Sequence, residues 1–83
     1  MTGDFTPPTP DHVEDSRGTL CPVPVLAASK AIGKVPVGGV LEVQATDAGA
    51  GADLPAWSKR AGHEFLGTTR EAGYLRLFIR RLA

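Results

Sequence analysis

The clearest pattern in the chain lies near its end. Over residues 74–81, Leu75, Leu77 and Ile79 alternate with Tyr74, Arg76, Phe78 and Arg80, which predicts a strand with one apolar face. Residues 40–46 alternate in the same way, with Leu41, Val43 and Ala45 on one side and Glu42, Gln44 and Thr46 on the other. Residues 64–70, with Phe65 and Leu66, read as a third strand joined to the last by a turn at Glu71-Ala72-Gly73. The polar stretch 12–15, just ahead of the turn signal Arg17-Gly18, reads as a short first strand.

Between the strands the period changes. Val25, Leu26, Ala28, Ser29 and Ile32 recur at spacings of three and four, an apolar stripe on a helix of about three turns. Cys21 is placed at its cap, with Pro22 and Pro24 in the first turn, where backbone amides have no helical partner. Gly33 is expected to end it, and Pro36-Val37-Gly38-Gly39 to form the loop. Asp53 can cap a second helix that holds Leu54 and Pro55 in its first turn and stops at Gly62. A start near Gly49 is the alternative, and it would put Pro55 inside the helix. The order is β-α-β-α-β-β. One sheet face is apolar and two helices are available to cover it. The expected fold is therefore an α/β two-layer sandwich, with two helices on one face of a four-stranded mixed sheet. The face of Tyr74, Arg76, Phe78 and Arg80 is expected to be solvated. Residues 1–10, rich in proline, are expected to be a flexible tail, and residues 11–83 a single domain.

Composition narrows the function. At 42% hydrophobic and 22% charged residues, the 83-residue chain is an ordinary globular one. Nine basic and nine acidic residues balance, so bulk attraction to nucleic acid or to an anionic membrane is not expected. No apolar run approaches the roughly 18 residues of a membrane helix, and the first residues lack the pattern of a signal peptide. A single cysteine cannot form an internal disulfide, which favours a reducing cytoplasm.

That cysteine is the candidate for chemistry. Thiolate is the nucleophile, and a helix N-terminus supplies partial positive charge and free amides that favour it. Pro22 and Pro24 carry no amide proton, so the amides of Val23 and Val25 remain as candidate donors toward the sulfur. The prolines fix the backbone, and Arg17 is close enough in sequence to add positive charge. The competing reading of a lone cysteine is a buried small hydrophobe. The polar turn 15–19 and the flanking prolines point instead to a surface junction between loop and helix. His63 is a candidate base, though such a residue more often bonds locally; His12 beside the tail is a weaker one. One cysteine, two histidines and scattered carboxylates show no metal-ligand spacing. Gly49-Ala50-Gly51 lacks the third glycine of a dinucleotide fingerprint and reads as a tight turn. Trp57 reads as core.

The segments Asp15-x-Arg17-Gly18-x-x-Cys21-Pro22-x-Pro24, Leu41-Glu42-Val43 with Ala45-Thr46-Asp47, Asp53-x-Pro55-Ala56-Trp57 and Gly62-His63-Glu64 resemble the TusA (SirA-like) sulfur carrier family. The likeness spans about residues 11–81 and implies the same β-α-β-α-β-β sandwich. It implies that Cys21 bears a persulfide, supported by Arg17, Gly18, Pro22 and Pro24, with no cofactor. The implied donor is a cysteine desulfurase or a rhodanese, and the implied acceptor a DsrE-like or other thiol protein in tRNA thiolation, cofactor synthesis or sulfur oxidation. Some relatives carry a second cysteine where this chain has Ser58. A freely presented thiol fits a monomer. Two other readings stand beside this one: a thiol redox sensor, and a non-enzymatic adaptor that docks a partner through Arg76 and Arg80.

Overall fold

A computed structural model describes residues 5–20 and 22–83, and within them the expected order of elements is present. Four strands, β1 His12–Asp15, β2 Val40–Ala45, β3 Glu64–Glu71 and β4 Tyr74–Arg80, are interleaved with two helices, α1 Val23–Ala31 and α2 Ala50–Ala61. The sheet runs β1-β2-β4-β3. β1 is parallel to β2, and β4 is antiparallel to both its neighbours. α1 and α2 pack on one face. Ala28, Ala31, Ile32, Leu41, Val43, Ala45, Leu54, Leu77 and Ile79 form the core between the layers, with Val25, Trp57 and Phe65 against it. The alternation in β2 and β4 fixes which face is apolar, and burying that face is the main favourable term in folding. No helix among the described residues is long and apolar enough to cross a membrane.

The boundaries differ from expectation at three places. α1 is capped by Pro22, one residue later than expected, and a 3-10 turn, Ile32–Lys34, carries the chain through Gly33. α2 begins at Ala50, so the alternative start is the observed one and Pro55 lies inside the helix. The carbonyl that Pro55 cannot bond belongs to exposed Gly51, where water can take it, so the proline is tolerated. Gly62 ends α2 as expected, at φ +83°. In β3 the register passes from Phe65↔Ile79 to Gly67↔Phe78, leaving Leu66 as an extra residue in a bulge.

The outer sheet face is not the solvated surface that alternation predicts. Glu42 is 2% exposed and Phe78 fully buried. Glu42 accepts a fork of hydrogen bonds from Arg76, at 3.0 Å from Nε and 3.1 Å from Nη2, and one from Gln44 at 2.8 Å. Burial alone would push the Glu42 carboxyl up; Arg76 and Gln44 outweigh it and hold it below its ordinary value. The Phe78 ring has the Arg76 guanidinium 5.1 Å from its centre and the Phe5 ring 5.7 Å away. The N-terminal segment therefore crosses this face.

Candidate functional site

The loop from β1 to α1 is tied down by its own polar residues. Asp15 ends the strand, and its carboxylate accepts the Arg17 backbone amide at 3.0 Å and the Arg17 side chain at 2.9 Å from Nε and 3.0 Å from Nη2. That fork lowers the Asp15 pKa to about 2, although the pair is open to solvent. Buried Ser16 donates its amide to Gln44 O at 2.8 Å, and its carbonyl accepts Thr19 Oγ1 at 2.7 Å. Gly18 turns the chain at φ +82°, which a side chain would resist, and its amide donates to Thr46 Oγ1 at 2.9 Å. The Arg17 guanidinium lies 5.1 Å above the Tyr74 ring. The loop is thus bonded to β2 and stacked on β4.

The helix start follows directly. Leu20 is 76% exposed and Pro22 is exposed, while Pro24 is buried and anchors the first turn. Cys21, between Leu20 and Pro22, lies outside the described residues. The first turn of α1 holds no acidic residue, so no carboxylate of its own offsets the partial positive charge of the N-terminus. One expected donor is already engaged: the Val23 amide donates to Leu20 O at 2.9 Å. Pro22 O accepts Leu26 N at 3.0 Å.

Other expected site residues are placed elsewhere. His63 precedes Glu64, which pairs with Arg80, whereas the β1–α1 loop lies at the end where Ala45 pairs with Leu75. The two ends are separated by the length of β2 and β4, roughly 20 Å for six residues. His63 Nδ1 instead accepts the Leu82 amide at 3.2 Å, and the ring lies 5.7 Å from that of Trp57. Burial, then the charge of Arg81, lowers its pKa. Trp57 packs against the core, as expected. At the start of α2, Asp47 Oδ1 accepts the Gly49 amide at 3.0 Å, which places a carboxylate where a phosphate would need to be. Among the described residues, no three of His, Cys, Asp and Glu are grouped to hold a metal ion. Arg76 is committed to Glu42 and, at 3.4 Å, to Glu71. Arg80 makes an exposed pair with Glu64 at 3.5 Å.

One surface was not foreseen from the sequence. Leu26, assigned to the apolar stripe, is 56% exposed, and Val23 is also exposed. With Ala27, Lys30, Ala31 and Lys34, and with Glu14 of β1, they line an open groove of about 400 Å³ along α1. The stripe that faces the core is Pro24, Ala28 and Ala31. The signal was present but divided: Val23, Leu26, Ala27 and Lys30 also recur at three and four, on the neighbouring face.

Comparison with known proteins places this geometry among relatives. Residues 13–81 match the family model described as sulfurtransferase TusA. The chain is 46% identical to the putative sulfur carrier protein YrkF of Bacillus subtilis over 83% of its length, spanning 37% of that longer protein. It is 44% identical to the putative sulfur carrier protein YrkI of the same organism, over 86% of this chain and 95% of the relative. The solved structure of a SirA-like protein from Desulfitobacterium hafniense superposes with a TM-score of 0.74 at 23% identity, covering 87% of this chain and 99% of that one. That structure supports the fold.

Proposed function

The chain belongs to the TusA family of sulfurtransferases, and from that premise we propose that it is a sulfur carrier whose cargo rides as a persulfide on Cys21. The Cys21 thiolate attacks the outer sulfur of a donor persulfide. A sulfur–sulfur bond forms at Cys21 as the donor's own sulfur–sulfur bond breaks, and the donor leaves as a thiolate. An acceptor thiolate then attacks the terminal sulfur of Cys21–S–SH, and the Cys21 thiolate is released. Each transfer exchanges one sulfur–sulfur bond for another, so no external oxidant or reductant is needed.

The observation that carries this reading is that the only cysteine falls in sequence between exposed Leu20 and exposed Pro22, the latter capping a helix with no acidic residue in its first turn. The loop before it is pinned by Ser16 and Gly18 to β2. The prolines and Arg17 support the motif by fixing the junction. A cysteine desulfurase or a rhodanese is the proposed donor and a DsrE-like or other thiol protein the proposed acceptor, in the cytoplasm and with the carrier as a monomer. The exposed groove of Val23 and Leu26, which follows the cysteine in sequence, is lined by Lys30 and Lys34 against the single carboxylate of Glu14 and suits a partner of mainly apolar character with some acidic groups; Arg80 is the second contact we propose.

The test is intact-mass spectrometry after incubation with a cysteine desulfurase and cysteine. The expected result is a gain of one sulfur atom that dithiothreitol removes and that Cys21→Ser abolishes. A gain that survives Cys21→Ser refutes the assignment. A sulfenic acid or mixed disulfide as the only reversible product would favour the redox-sensor reading instead.

A further inference from the structure

The outer sheet face carries an aromatic site that nothing in the sulfur-transfer chemistry uses. Phe78 points away from the helices yet is fully buried, and what covers it is Phe5, with ring centres 5.7 Å apart at 56°. Across the ladder from Phe78 stands Gly67. A methyl group there would come within 2.9 Å of the Phe5 ring, so the missing side chain is the hollow that receives the aromatic. The bulge at Leu66 sets this register and brings Gly67 opposite Phe78. The Arg76 guanidinium lies over the Phe78 ring at 5.1 Å.

The segment that delivers Phe5 is held lightly. Asp11 is fixed to β2, its amide on Val40 O at 2.8 Å and its carboxylate accepting the Val40 amide at 2.8 Å. Ahead of it, Pro7, Pro8 and Pro10 have no amide to donate, and no backbone hydrogen bond joins residues 5–10 to the domain among the described residues. The prolines keep the segment extended at little entropic cost; Pro7, Pro8 and Pro10 are half-buried, and Phe5 supplies the aromatic contact. The match to the family model begins at residue 13, after this strap.

We propose that residues 5–10 form an exchangeable strap that closes an aromatic docking site made by Phe78, Gly67 and Arg76. When the strap lifts, the site takes a phenylalanine followed by prolines from another chain. Arg80 borders the same face, so a partner docking there and the closed strap compete for it. The proposal does not rest on Cys21 chemistry.

The test uses the full chain with Phe5→Ala and a fluorescent synthetic peptide matching residues 2–11, followed by anisotropy. The variant is expected to keep its circular dichroism spectrum and to bind the peptide at least tenfold more tightly than the intact chain does. The same peptide with alanine in place of its phenylalanine is expected not to bind, and Gly67→Val added to Phe5→Ala is expected to abolish binding by filling the hollow. Equal affinity for the two peptides, or no binding by a folded Phe5→Ala chain, would overturn the proposal. So would loss of the fold in Phe5→Ala, since an element the domain needs is not exchangeable. Sulfur loading of Cys21 in the same variant, read by mass, is expected to be unchanged, which separates the fate of this site from that of the carrier reading.

Discussion

Two arginine–carboxylate forks of almost the same geometry sit at different depths in this molecule. Arg17 meets Asp15 at 2.9 and 3.0 Å in the loop before Cys21, and Arg76 meets Glu42 at 3.0 and 3.1 Å across β2 and β4. The first pair is open to water on both sides, whereas Glu42 is buried and Arg76 largely so. Water replaces whatever the exposed fork loses, so its value lies in holding the loop's shape. Nothing replaces what the buried fork loses, because Glu42 has been stripped of solvent and depends on its partner. The same two side-chain types therefore act as a loop clasp in one place and as a structural requirement in the other.

The sharpest way to break this contrast is to remove the buried arginine. Arg76→Ala leaves Glu42 charged and unpaired, with a cost of about 2–4 kcal/mol, somewhat below that of a fully enclosed pair because Arg76 retains some solvent. For a domain this size that is a fall in melting temperature of roughly 10–20 °C by calorimetry. Adding Glu42→Leu to Arg76→Ala should recover most of it, since an apolar pair needs no solvation. A melting temperature unchanged in Arg76→Ala would mean that Glu42 reaches water. Because Arg76 is structural, Arg80→Glu is the cleaner probe of docking on this face.

Acid should separate the forks next. A carboxyl held low in the folded state contributes stability above its ordinary value, and that contribution is lost as pH falls through the folded value. For Glu42 the loss begins below 4.5. For Asp15 it begins below 3.8 and runs to about 2. His63 acts earlier and by the opposite charge. Its folded pKa lies below 6.5, so the unfolded chain takes up the proton first and stability declines as pH drops from 6.5 toward that lower value. Urea midpoints measured from pH 7 to 3 should therefore fall in two stages. His63→Gln should flatten the upper stage, and Glu42→Gln the lower one while also lowering stability at pH 7. An upper stage that persists in His63→Gln would assign it to another group.

The same contrast explains what the sequence made legible. The alternation in residues 74–80 and 40–45 gave the strands and the helix-covered face, because burial of one face leaves a period of two in the chain; that β2 pairs with β4 was not legible. Asp15-x-Arg17-Gly18 and the prolines gave the loop and the approximate helix start for a local reason: the partners are two residues apart, or the backbone limit belongs to the residue itself. What was not legible depends on contacts far apart in sequence. Glu42 alternates like a solvent-facing residue, yet it is buried and bonded to Arg76 from the neighbouring strand. Phe78 needs Phe5, more than seventy residues away, and the bulge at Leu66 leaves no mark in composition. Pro55 misled the reading of α2 because propensity penalises an internal proline, whereas the exposed Gly51 carbonyl tolerates one. Leu26 was assigned inward because two overlapping helical stripes share α1, and only the packing with α2 decides between them.

The exposed fork offers the smallest stability effect and the most direct link to chemistry. Arg17 was expected to add positive charge near the thiol, but its charge is matched by a carboxylate forked onto it. The pair as a whole is close to neutral, so the lowered thiol pKa we expect must come mainly from the helix start. Asp15→Asn leaves Arg17 uncompensated, and Arg17→Gln leaves Asp15 so. A unit charge acting on Cys21 through water within a Debye length changes the thiolate fraction by about twofold. Alkylation of Cys21 by iodoacetamide at pH 7 should therefore be about twofold faster in Asp15→Asn and about twofold slower in Arg17→Gln, with both melting temperatures unchanged within error. Added salt should shrink both effects together. Equal rates in the two variants would mean that the fork is too far from the sulfur to matter electrically, leaving it the role of shaping the loop. A marked loss of melting temperature in either would mean that this clasp resembles the Glu42 pair after all, and the distinction by depth would fail.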